Sequence, residues 1–163
     1  MTFRPAPAGG ISGATATALD RLPPGVLARL DGLSRRVDHE AGSVILREGG
    51  DTPYLAAVES GRVALRLRVA EWGDRLTVVT VEASELLGWS AIVPPFRATV
   101  DAVATEPTRL RAIDATALRE LLATECEVAA ALLPLVLETV TTRLTGSWQQ
   151  LLDTFGPREF PAW

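Results

Sequence analysis

The sequence predicts a mainly β fold with helices added: a double-stranded, jelly-roll-like β-roll with an N-terminal helix and a long C-terminal dimerisation helix. From about residue 35 to 113, short apolar runs alternate with polar residues, as half-buried strands require. Glycine-bearing turns part those runs at regular intervals: Glu48-Gly49-Gly50-Asp51, Glu59-Ser60-Gly61 and Glu71-Trp72-Gly73-Asp74. After residue 114 the apolar period lengthens to that of a helix and stays there to about residue 154.

Residues 1–17 are rich in Pro, Gly, Ala, Ser and Thr and bury too little to order themselves, so they read as a flexible arm. One domain is expected over 18–154, with the roll at about 35–113 and C-terminal helices at about 115–154, followed by a tail at 155–163. Leu19, Leu22, Val26, Leu27, Leu30 and Leu33 recur at helical spacing, and Pro23-Pro24 suits a first helical turn. Strands are expected at 35–39, 43–47, 54–59, 62–69, 75–82, 98–105 and 109–113. Asp114 is a good N-cap for a helix over 115–124. In the long helix, 125–154, the residues Leu133, Leu137, Val140, Leu144, Ser147 and Leu151 step alternately by four and three. That is the seam of a two-stranded coiled coil and predicts a homodimer.

Composition narrows the function classes. A chain of 163 residues supports one core, and 47% hydrophobic with 22% charged residues is ordinary for a soluble domain. The net charge of −4 gives no basic footprint, and nothing after the long helix supplies a helix-turn-helix, so direct nucleic-acid binding is not expected. Cys126 is the only cysteine; it excludes an internal disulfide, fits a reducing cytoplasm, and reads as buried or idle. His39 is the only histidine, so a multi-imidazole metal centre cannot be assembled, and no Ser/His/Asp or Cys/His set is expected around it. Glu59, Glu82 and Glu106 read as solvated, and no enzyme activity is expected. No uninterrupted apolar run approaches the ~20 residues a membrane span needs, and no signal peptide is recognisable. A cytoplasmic protein without a membrane partner is expected.

The stretch from Gly42 to Val63 follows G-x-x-[apolar]-x-x-E-G-x-x-x-x-Y-[apolar]-x-x-V-x-x-G-x-[apolar]. This resembles the opening of the cyclic-nucleotide-binding domain shared by bacterial catabolite activators, protein kinase A regulatory subunits and gated channels. In that family a short helical cassette follows an apolar pair and Gly-Glu, and ends in Arg-Ser/Ala before a strand rich in Ala, Thr and Val. The matching residues run from Leu86-Leu87-Gly88-Trp89-Ser90 to Phe96-Arg97-Ala98-Thr99-Val100. The resemblance implies a ligand site at Gly88, Trp89, Ser90, Arg97 and Ala98, with Arg97 on the phosphate. Cyclic AMP or cyclic GMP would be the ligand, and no cofactor is implied. Trp89 stands where the family has its ribose glutamate, and an indole donates one hydrogen bond but accepts none. Glu85, four residues upstream, is placed at a strand end pointing away from the sugar. Ser147 and Trp148 stand where the long helix would meet a base, or equally where a dimer would anchor.

Two functions follow from these residues. One is a stand-alone sensor that binds a cyclic nucleotide or related phosphorylated molecule and signals to a partner protein. The other is a non-binding roll serving as an assembly module, with Trp89 filling the vacated pocket and Phe155, Phe160 and Trp163 forming an adhesive tail.

Overall fold

The computed structural model describes residues 16–68 and 75–155. The N-terminal arm up to residue 15, the predicted turn at 71–74 and the tail from 156 onwards lie outside the described residues. A 3-10 helix (Ala18–Arg21) and α1 (Pro24–Gly32) lead into the strands β1 (Ser34–His39), β2 (Val44–Leu46), β3 (Tyr54–Ser60) and β4 (Val63–Arg68). Then follow β5 (Arg75–Val81), β6 (Leu86–Leu87), β7 (Asp101–Ala104), β8 (Thr108–Asp114), α2 (Ala115–Thr124) and α3 (Cys126–Phe155). The strands form two four-stranded sheets, in the orders β1-β8-β3-β6 and β2-β7-β4-β5. Every named pair is antiparallel. This is the expected β-roll.

Strand β3 shows how the roll is filled. Tyr54, Ala56 and Val58 turn towards the cluster containing Leu46, Val63, Leu65 and Leu110. Leu55 and Ala57, on the opposite face, join Leu19, Leu30, Leu118 and Leu132 of the helices. The period of two sends one strand into two cores, so its side chains are buried on both faces. Burying each leucine contributes roughly 1.5–3 kcal/mol. Asp101, 3% exposed, ties the second sheet to its neighbours. Its carboxylate accepts from the Glu48 amide at 2.8 Å and pairs with Arg75.

Several expectations need correction. The helix expected over 19–33 is split, because Leu22 and Pro23 each precede a proline and take extended backbone (ψ 154° and 141°). Pro24 is then the first residue of α1. β6 is only two residues long, too short to show a period. The strand expected from residue 98 begins at Asp101, since Ala98 hydrogen-bonds to a turn instead. Glu59 is not solvated: its side chain is 11% exposed and accepts from Arg36 Nε at 2.8 Å. Glu82 pairs with Arg62. Cys126 is exposed, at the first residue of α3. The segment Cys126–Gln150 reaches a mean hydropathy of 1.4, so α3 is apolar and long enough to cross a membrane by length and composition. Its apolar residues are divided between two faces: Val128, Leu132, Leu135 and Val136 are buried against the domain, while Leu133, Leu137 and Leu144 are exposed.

Candidate functional site

The cassette between β6 and β7 begins at Gly88, whose φ of +79° lies in the left-handed region. A Cβ there would stand 2.5 Å from the Tyr54 carbonyl oxygen, so close approach to β3 as well as backbone conformation demands glycine. A 3-10 helix over Trp89–Ala91 follows. The returning limb is laced to the turn at 49–52: the Thr52 amide donates to Phe96 O (3.1 Å), the Ala98 amide to Gly50 O (2.8 Å), and the Gly49 amide to Ala98 O (2.8 Å). Arg97 belongs to this lacing. Its Nη1 donates to Gly49 O at 2.9 Å and stands 3.7 Å from Asp51 Oδ1, and its side chain is 58% exposed.

Arg119 of α2 holds both limbs of the cassette. Its Nη1 donates to Ala91 O at 2.8 Å, and its guanidinium lies 4.6 Å from the centre of the Phe96 ring, a cation–π contact. Arg119 Nη2 also donates to Thr116 Oγ1 at 3.2 Å, within α2 itself.

Inside the roll beneath the cassette is a cavity of about 30 Å³. That is room for a water or two, against the 300–1,000 Å³ of typical ligand sites. Of the expected site residues, Gly88, Trp89, Ser90 and Ala98 line it, and Arg97 is not among its lining. Trp89 also packs against the helix-side cluster. Glu85 is not part of the lining either; its carboxylate accepts from the Glu82 amide at 2.6 Å.

The cation that does line the cavity is Arg143, from α3. Its Nη2 donates to the carbonyl of Leu86, joining the long helix to β6. Burial pulls this guanidinium below its ordinary pKa, and the negative charge of Glu85 acts in the other direction. The sequence reading passed over Arg143, although a signal was present. It lies seven residues beyond Val136 and four beyond Thr139, continuing the inward stripe that starts at Leu132.

Ser147 is half-buried and donates to Arg143 O at 2.9 Å, whereas Trp148 is 58% exposed. Neither lines the cavity. On the outer face of α3, Leu133, Leu137, Leu144, Trp148 and Leu152 are exposed and Val140 is half-buried. The side chain of Leu151 lies outside the described residues. Among the described residues, no three potential metal ligands come together.

With this geometry established, likeness to known proteins defines the class. The sequence profile of the cyclic nucleotide-binding domain matches residues 36–125, more than half of the chain. The chain belongs to that family. Its fold is similar to a cyclic nucleotide-binding domain from Methylobacillus flagellatus (TM-score 0.75, 19% identity, 88% of this chain and 83% of that one). It is also similar to the N-terminal domain of a transcriptional regulator from Streptomyces coelicolor (TM-score 0.61, 25% identity, 78% and 88%). A third likeness is the catabolite activator protein of Thermus thermophilus (TM-score 0.64, 24% identity), where 85% of this chain spans 63% of that protein. Among curated proteins, none is similar enough to match.

Proposed function

We propose that this chain is a regulatory, non-catalytic sensor of the cytoplasm. A cyclic nucleotide or related phosphorylated small molecule enters the roll beneath the cassette, α3 changes position, and a partner protein reads the change. The observation that carries this reading is the contact between α3 and the roll: the helix borders the cavity with a partly buried guanidinium held by one backbone carbonyl. Such a contact can be exchanged for a ligand's oxygen without breaking the core, which lets ligand shift the population of helix positions. The exposed stripe on α3 supports a homodimer, with Leu133, Leu137, Val140 and Leu144 at its centre.

A second reading is favoured by a different observation. Arg97 is engaged outside the cavity, the cavity holds no more than a water or two, and Trp89 stands in place of the acid. A roll in this condition suits a non-binding assembly module. Thermal-shift titration with cyclic AMP, cyclic GMP and cyclic di-GMP separates the two. Ligand at a hundred times its Kd should add about 2.7 kcal/mol of stability. The absence of any shift, with self-association intact, would favour the assembly module.

A further inference from the structure

We infer that His39 is an acid-sensitive fastening at the corner where the chain crosses from one sheet of the roll to the other, and that proton uptake by its ring releases the end of β1 from β8. The device does not depend on whether the roll takes a ligand. His39 is the last residue of β1, an edge strand whose one neighbour in its sheet is β8. Just beyond it, the Gly42 amide donates to Ala104 O at 2.7 Å and ties the chain to β7 of the second sheet. The period of two puts His39 on the same face of β1 as Val37, which packs against the roll's inner cluster together with its cross-strand partner Leu110.

The Nε2 atom of His39 is buried and has no hydrogen-bond partner among the described residues. Opposite it across the strand pair is Thr108, itself buried, whose hydroxyl is already engaged. That hydroxyl donates to Glu106 O at 2.8 Å and accepts from the Arg62 amide at 3.2 Å. A neutral imidazole with its proton on Nδ1 leaves Nε2 as a bare lone pair, which buries at modest cost. Protonation puts an N–H and a positive charge at the same buried atom, where no acceptor meets them. Burial accordingly holds the ring below its ordinary pKa, and the Asp38 carboxylate opposes this only in part. Asp38 is engaged by Arg109 Nε at 2.7 Å. In the turns around this corner, Glu59 pairs with Arg36, Arg62 pairs with Glu82, the charge of Glu106 acts on Arg62, and Glu40 is exposed. Among the described residues, Asp38 is the charged group that acts on His39.

The fold therefore has its full strength above about pH 6.5, the value of the unfolded chain, and loses stability as pH falls through the lower folded value. The strain is relieved when the end of β1 lifts and water reaches Nε2. An edge strand can yield in this way without unpairing the rest of its sheet. β8 meets Tyr54, beside the cassette, at Asp114, its other end, so the loosened corner lies away from the cassette.

His39 is the only histidine of the chain, so its ring signals in an NMR pH titration of the full chain are unambiguous. The midpoint should lie below about 6.5. Between about pH 7.5 and 5.5 the melting temperature should fall by several degrees. Over the same interval hydrogen-exchange protection, corrected for intrinsic rates, should drop about tenfold at 37–42 and 108–110 while β3 keeps its own. His39→Leu and His39→Phe, which carry no titrating nitrogen, should show neither change, and either variant suffices. A midpoint at or above 6.5 overturns the inference without any variant. An acid loss that persists in the substituted chains also overturns it. So does a loss of protection spread evenly over both sheets, which would make His39 a general stability residue instead of a fastening of β1.

Discussion

Replacing Gly88 by alanine tests the packing of the cassette on the roll. The residue has φ +79°, and the added methyl would stand 2.5 Å from Tyr54 O, a backbone atom of a strand paired on both sides. Left-handed backbone costs alanine roughly 1–2 kcal/mol. Forcing an atom into a packed site costs typically ~1–3 kcal/mol more. The total, roughly 2–5 kcal/mol, is a large share of the 5–15 kcal/mol that keeps a domain folded. At about 2–4 °C per kcal/mol for a chain of this size, the melting temperature should fall by roughly 4–20 °C. Gly49 supplies the control. Its φ is +75°, but nothing lies within 4 Å of the position a Cβ would take, so Gly49→Ala should bear the backbone term alone. Urea unfolding of the two variants, with unchanged denaturant slopes, measures the difference. If Gly88→Ala is no less stable than Gly49→Ala, the close approach to β3 is wrong.

Three further outcomes are expected. Asp114 accepts from the amides of Thr116 and Ala117, each at 3.0 Å, so Asp114→Ala should destabilise by ~1 kcal/mol in urea unfolding, whereas an uncapped helix would not respond. The Thr17 amide, at 2.6 Å, holds the Asp20 carboxyl below its usual range, with the Thr17 hydroxyl and Arg111 assisting. That contribution is present above about pH 4, the unfolded value, and is lost as pH falls through the lower folded value. Asp20→Asn should therefore reduce stability at neutral pH and flatten the acid limb of the stability profile; an unchanged limb would contradict it. Leu144→Asp, on the exposed stripe of α3, should convert a dimer to monomer in sedimentation, and an unaffected equilibrium would remove the seam.

Much of the fold was legible because its signals are local. The apolar run of β3, the alternation with arginines in β4, the glycine turn between them, and the Asp114 cap each follow from a few neighbouring residues, and α2 falls where its cap places it. The two-residue β6 carries no period and could not be seen. The site was legible in part, since Gly88, Trp89, Ser90 and Ala98 do come together around one cavity. The two arginines were harder. The outward turn of Arg97 depends on its carbonyl partner Gly49, 48 positions earlier in the chain. The inward reach of Arg143 depends on a β6 carbonyl 57 positions before it. Such pairings depend on how distant segments meet, and composition and spacing do not record them. Cys126 belongs with these: whether the first residue of a helix is covered depends on what docks beside it.

One consequence of α3 concerns Arg143 and Leu144. They are consecutive, yet the first faces the interior of the roll and the second faces solvent. On a helix they point about 100° apart and are fixed to the same rod. Any twist that withdraws the guanidinium must swing the leucine through the same arc. In the proposed dimer, occupancy of the roll and the fit between two copies would be geared together, so that Leu144→Asp should also alter any ligand response that Arg143 takes part in.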